Sequence, residues 1–186
     1  MSAIGQDVSG DIQLLSAENS LRTVTAEYFW SAGKFSGMGY HDQYDNGSID
    51  YFADHVIEYN VNSMLYGAVE FGFTSFGNNK KYGVGTRAGS LPGLIKVFTY
   101  FNVTYFAHVT GANSEQVKVA WGTKSLKLTN SLDMYFEGFT RLRDGLPDLW
   151  QPQVWFRHRD VPFDFGTEVE VYGGETNISL AIKFLF

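Results

Sequence analysis

The chain contains no cysteine, which removes disulfides, thiolate metal ligands and a cysteine nucleophile together. It has only 4 prolines, so there is no proline-rich linker. No stretch approaches the roughly 18 consecutive apolar residues of a membrane-crossing helix. There is no basic run, and the net charge of −6 argues against nucleic acid as a partner. Met1 is followed by a polar segment, Ser2 to Asp11, without the basic and apolar regions of a signal peptide. The reading adopted for that segment is a mature chain carrying an added Met. The 4 histidines, His41, His55, His108 and His158, stand at no metal-ligand spacing. Neither GxSxG nor HExxH accompanies them. No enzyme activity, metal or cofactor is therefore expected.

What the chain does have is 44% hydrophobic residues, 17% aromatics and 20 glycines, with a mean hydropathy of −0.16. Apolar residues this frequent at so low a hydropathy are interleaved with polar ones. Interleaving of that kind, punctuated by Gly, Asn, Asp and Ser, is the pattern of short strands and tight turns. Thr23–Ser31 sets Val24, Ala26, Tyr28 and Trp30 against Thr25, Glu27 and Phe29. Similar segments follow at Lys34–Asp42, Met64–Phe73, Lys81–Ala88, Leu94–Val109, Glu115–Leu128 and Leu132–Arg143, after a short opener at Asp11–Ala17. The apolar phase slips between Trp121 and Leu126, which predicts a bulge or bend. Ile49, Phe52, Ala53, Val56 and Ile57 carry helical spacing behind Ser48, so a short helix running into a strand at Val56–Val61 is expected there. Trp150–Arg159 is a strand expected to start after Pro152, which lacks a ladder donor. Thr167–Tyr172 and a C-terminal strand complete eleven or twelve segments.

That last strand, Asn177 to Phe186, puts Ile178, Leu180, Ile182, Phe184 and Phe186 on one face. Its length is about that of a tilted strand crossing a bilayer. Across the chain the second face mixes charges with large rings: Glu27 with Phe29, Glu70 with Tyr66, Glu137 with Tyr135 and Phe139, Arg157 with Trp155. Such a face is too charged for a dry core and too aromatic for a plain solvent surface. It suits the wall of a water-filled lumen whose other side meets lipid. The expected fold is all-β, an antiparallel transmembrane β-barrel of about 12 strands. It would occupy residues 11–186 as one domain behind a polar segment at 1–10. Three rivals keep some of these features: a soluble β-sandwich that binds a partner or builds a virion, a closed structural or adhesion barrel, and a barrel enzyme with a site assembled across strands.

Strand parity assigns the lumen charges as the acids Glu27, Asp42, Glu58, Glu70, Asp133, Glu137, Glu168 and Glu170. The bases are Arg87, Lys118, Lys124, Arg141, Arg157, Arg159 and Lys183. The two signs nearly balance, whereas a pore for acidic sugars or phosphate would be lined mainly by Arg and Lys. Balance with interleaved rings suits a neutral solute that stacks and accepts several hydrogen bonds, as a nucleoside does. The candidate solute-binding residues are Glu27, Phe29, Tyr40, Asp42, Tyr66, Glu70, Arg87, Tyr100, Asn102, Tyr135, Glu137, Arg141, Trp155, Arg157 and Lys183.

Three stretches carry a resemblance. Thr23–Asp42 looks like the second and third strands of the nucleoside-specific channel-forming proteins of the Tsx type, with Glu27 and Tyr40 in place. Tyr82–Thr86 with Leu91-Pro92 looks like that family's mid-chain strand and turn. The C-terminal strand, with its terminal Phe, resembles the assembly signal of Gram-negative outer-membrane barrels. The resemblance implies a monomeric barrel in the bacterial outer membrane, placed there by the outer-membrane assembly machinery. Its partners would be the lipid bilayer and small solutes such as nucleosides, which would pass weak serial sites of rings and ionisable groups. The chain departs from the family in being much shorter, in lacking long extracellular insertions and in keeping few of its Trp and Tyr residues.

Overall fold

Strict alternation commits a segment to extended backbone, and extended backbone in a membrane must find partners on both sides. The computed structural model describes residues 6–16, 22–45, 49–74, 77–87, 96–108 and 115–186. Its strands are β1 (Gln6–Ser16), β2 (Arg22–Ala32), β3 (Phe35–Asp45), β4 (Ile49–Asn60), β5 (Leu65–Thr74), β6 (Gly77–Arg87) and β7 (Phe98–His108). They continue as β8 (Gln116–Thr123), β9 (Leu126–Lys127), β10 (Leu132–Arg143), β11 (Leu146–His158), β12 (Asp164–Tyr172) and β13 (Glu175–Leu185). Each long strand pairs antiparallel with its neighbours, and β13 returns to β1 with Asp11 opposite Leu185 and Leu15 opposite Ala181. Two further bonds join Gly10 and Phe186 at that seam, each N–H donating to the other's carbonyl at 3.0 Å. The result is a closed ring of twelve long strands, with β9 as a short addition beside β10. A two-layer β-sandwich is thereby replaced by a single closed sheet.

The predicted slip after Trp121 is present. β8 pairs β10 with Gly122 opposite Glu137, while β9 pairs it with Lys127 opposite Asp133, one residue out of step. The Thr123 hydroxyl accepts the Phe136 N–H at 3.0 Å where the ladder breaks.

Two local expectations need correction. The helix expected around Ile49–Ile57 is instead part of one continuous strand, β4, paired along its length with β3 and β5. The apolar residues with helical spacing belong to both faces of that strand, and the two flanking ladders outweigh the local pattern. Nor does β11 start after Pro152. It begins at Leu146 and carries Pro152 opposite Gly138 of β10. The proline is absorbed on its other side: the β11–β12 ladder skips Gln151 and Pro152 between its Trp150–Val171 and Gln153–Glu168 pairs. A missing N–H there costs one rung and no register.

Positive-φ residues close two of the hairpins within two positions, Asp144-Gly145 (φ 51 and 78) and Gly173-Gly174 (φ 61 and 86). Such turns match the twist of the strands they join.

The even-numbered face of β13 points outward, and Leu180 is 71% exposed, with Ile178, Ile182, Phe184 and Phe186 also exposed. The same holds for Val8, Ile12 and Leu14 on β1, Phe35 on β3, Ile57 and Tyr59 on β4, and Tyr82 and Val84 on β6. A belt this continuous far exceeds the scattered apolar patches of a water-soluble surface. It is the exterior expected of a barrel immersed in hydrocarbon. Aromatic pairs reinforce it, among them Phe35 with Tyr59 at 5.4 Å and Phe156 with Phe165 at 5.5 Å between ring centres.

Candidate functional site

Residues opposite each other on paired strands share a face, so the ladders carry the interior assignment around the barrel. Starting from Asp11 and Gln13, the chain of partners runs Asp11–Glu27–Tyr40–Asp54 across β1 to β4. It continues through Glu70–Lys81 on β5 and β6, then Thr104–Lys118–Arg141 on β7, β8 and β10. It closes through Arg157–Asp164–Lys183 on β11, β12 and β13. By this walk all fifteen candidates named from the sequence lie on the interior face. Lys124 and Arg159, also expected on that face, do not: Lys124 falls in the break between β8 and β9, and Arg159 lies in the turn after β11.

The sequence reading missed Asp11, Asp54, Lys81 and Asp164, all on the interior face and all buried. Asp54 was hidden inside the segment read as helical. Asp11 and Lys81 are the first residues of the segments read at Asp11–Ala17 and Lys81–Ala88, and Asp164, the first residue of β12, falls between those read at Trp150–Arg159 and Thr167–Tyr172.

The interior charges form two networks that cross the barrel rather than hugging one strand pair. In the first, Glu70 accepts Lys81 at 2.7 Å and Lys118 at 2.5 Å, and Lys118 also reaches Asp54 at 3.0 Å. Lys81 donates to Gln116 at 2.7 Å, and the Tyr40 hydroxyl donates to Asp54 at 3.3 Å. In the second, Lys183 pairs with Glu137, and its ammonium lies 4.2 Å from the centre of the Trp155 ring. Asp164 accepts two bonds from Arg157, at 2.9 and 2.7 Å, and one from Tyr135 at 2.5 Å. Gln153 bridges Trp155 to Glu168. β13 ends and β12 begins at the same end of the barrel, so this second network lies toward Phe186. Glu70 and Lys118 lie toward the other end.

The rings are held flat against the wall by glycines. Tyr66 faces Gly85, Phe106 faces Gly83, Tyr100 faces Gly122 and Trp155 faces Gly166, each directly across a ladder. A Cβ at Gly166 would meet the Trp155 ring at 2.7 Å, and one at Gly85 would collide with the Tyr66 ring. Only glycine permits that approach. The second face of Tyr66 is covered by Arg87, whose guanidinium carbon is 4.2 Å from its centre. Trp155 lies between Gly166 and Lys183 and is 0% exposed. Phe29 differs from these: it shares the interior face yet is 40% exposed.

At the end of the barrel near the β2–β3 turn, Ser36, Asn60, Asn62, Ser63, Gly33 and Arg87 line an open recess of about 440 Å³. Arg87 is fixed there by Glu58, by Asn60 at 2.5 Å and by Ser36 at 3.3 Å. Among the described residues no group of three or more His, Asp or Glu could hold a metal ion.

No family model matches the chain, and no curated protein matches it. Solved structures do. The KdgM porin is similar with a TM-score of 0.54 at 12% identity, over 96% of this chain and 99% of that one. The KdgM porin in complex with disordered oligogalacturonate gives 0.51 at 11%, over 98% and 99%. A structure from work on the in-meso crystallization of membrane proteins gives 0.51 at 11%, over 96% and 83%. At these identities the likeness is one of fold, and the fold this chain shares is that of a porin barrel.

Proposed function

We propose that this protein is an outer-membrane channel for facilitated diffusion of small solutes, with neutral nucleosides as its preferred cargo. The observation that carries the reading is the division of the closed sheet into an apolar exterior and an interior of charges, amides and rings. A solute crossing such an interior exchanges its water hydrogen bonds for Tyr, Asn and Gln partners, and binds weakly enough to leave. The similarity of fold to porins supports a channel. The resemblance of Thr23–Asp42 to Tsx-type proteins supports nucleosides. The same reading takes the barrel to be a monomer delivered by the outer-membrane assembly machinery.

One neighbour holds oligogalacturonate, a polyanion. A comparable cargo here would need free interior cations, whereas Lys81, Arg87, Lys118, Arg157 and Lys183 are all paired with the chain's own carboxylates. A second reading has its own support. The cross-lumen pairs Lys118–Asp54 and Lys183–Glu137 span the interior, as in a barrel that is closed at rest.

Liposome swelling separates these. Vesicles holding the refolded barrel should swell faster in nucleosides than in disaccharides or uronates. Swelling equal to that of empty vesicles in every solute would leave the closed barrel as the function.

A further inference from the structure

We propose that the lumen favours cations over anions and that Glu27, with its neighbour Asp11, sets this preference. The inference rests on the channel reading above and names the charge class it admits. Its ground is an asymmetry between the two signs of interior charge. Every interior lysine and arginine with a described side chain on the twelve long strands is in an ion pair. Lys81 and Lys118 are held by Glu70, Arg87 by Glu58, Arg141 and Arg143 by Asp148, Arg157 by Asp164 and Lys183 by Glu137. At the mouth, Lys127 of β9 stands opposite Asp133 and balances it.

The carboxylates are not all used in this way. Among the described residues Glu27 makes neither an ion pair nor a hydrogen bond, and Asp11 makes only the 3.0 Å bond it accepts from the Gln13 amide. The two are direct partners across the β1–β2 ladder, so their side chains stand next to each other on the interior face. Lys183 is the cation within electrostatic range of both, and its ammonium is bonded to Glu137. Three carboxylates therefore share one ammonium in this part of the barrel. Glu27 is half-buried rather than sealed, beside the exposed ring of Phe29.

A surplus of fixed negative charge inside a low-dielectric wall concentrates counter-ions and repels co-ions. It acts on any charged solute in the lumen, whatever that solute's shape. Neutral cargo passes unaffected, a cationic group gains, and a phosphate or carboxylate is turned back.

The test is the reversal potential of the refolded full chain in a planar bilayer under a potassium chloride gradient. At about pH 9, where carboxylates are ionised, the wild type should pass potassium over chloride by about threefold or more. Glu27→Gln should lower that ratio, and Glu27→Gln with Asp11→Asn should bring it close to unity. Lys124→Gln, in the break between β8 and β9, should leave it unchanged. A ratio at or below unity in the wild type overturns the proposal, as does a double variant that keeps the wild-type ratio. If Glu27→Gln does not refold, Asp11→Asn alone must still lower the ratio. Absence of any current from the wild type would overturn the channel reading itself and this inference with it, which is a different result from an anion-selective current.

Discussion

Lys118 of β8 reaches across the barrel to Asp54 of β4, at 3.0 Å, over the three strands that separate them along the wall. On the way it meets Glu70 at 2.5 Å, and its ammonium lies 5.7 and 5.8 Å from the ring centres of Phe106 and Phe139. One cation thus ties three elements of the interior together, and all three charged groups are buried. Removing it would leave Asp54 without a cation away from bulk water, and Glu70 with Lys81 alone. Breaking a buried charge group by deleting one partner costs about 3–5 kcal/mol. Lys118→Met is expected to lower the urea midpoint of the refolded barrel in micelles by a margin of that size. A midpoint equal to wild type would mean that water reaches Asp54 and Glu70 freely. The same variant removes a side chain that crosses the lumen, so its single-channel conductance should rise.

The glycine opposite Trp155 gives a second expectation. A methyl group at position 166 would meet the Trp155 ring and the Val154 carbonyl, whereas one at position 67 meets nothing within 4 Å. Gly166→Ala should therefore cost about 1–3 kcal/mol, as overpacked sites do, and should shift the fluorescence of the displaced tryptophan. Gly67→Ala should be near neutral. Equal effects in the same denaturation series would mean that the rings are not held by the bare backbone opposite them.

Parity along each strand was readable because charges and aliphatic residues rarely share a face. That is why Glu27, Glu70, Arg141 and Lys183 could be assigned to the interior without a partner in view. Register was not readable, since no residue type announces which rung it occupies. The Tyr66–Gly85 and Trp155–Gly166 contacts, and every cross-lumen ion pair, depend on register. Asp54 escaped because its neighbours satisfy both helical and strand spacing, and only β3 and β5 resolve that. Pro152 misled in the opposite direction: the local rule is sound, but a barrel strand has two ladders and can lose one rung from one of them.

The exterior makes a third prediction. Leu180 stands near the middle of β13, pointing outward and 71% exposed. In water such a position would accept arginine at almost no cost. In hydrocarbon the same change costs about 2–4 kcal/mol. Leu180→Arg should weaken folding into lipid vesicles by that amount, measured as the shift in the vesicle-folding equilibrium. Ser179→Arg would act on the lumen instead and should alter conductance. If Leu180→Arg folds as well as wild type, the apolar belt does not face lipid.

The last prediction concerns which ring a solute can use. Stacking needs a free aromatic face, and Trp155 has none: Gly166 and the Lys183 ammonium take both. Tyr66 is covered in the same way by Gly85 and Arg87. Phe29 is interior and still 40% exposed, which leaves it a face to offer. Loss of one base-stacking ring is worth about 1–3 kcal/mol. Phe29→Ala should therefore weaken nucleoside block of the ion current by about fivefold or more, with little change in the open-channel conductance. Trp155→Phe, which keeps a ring in the covered site, should leave the block unchanged. Should the two variants weaken block equally, recognition would lie elsewhere along the lumen, and the paired amides of Gln151 and Gln153 would be the next residues to exchange.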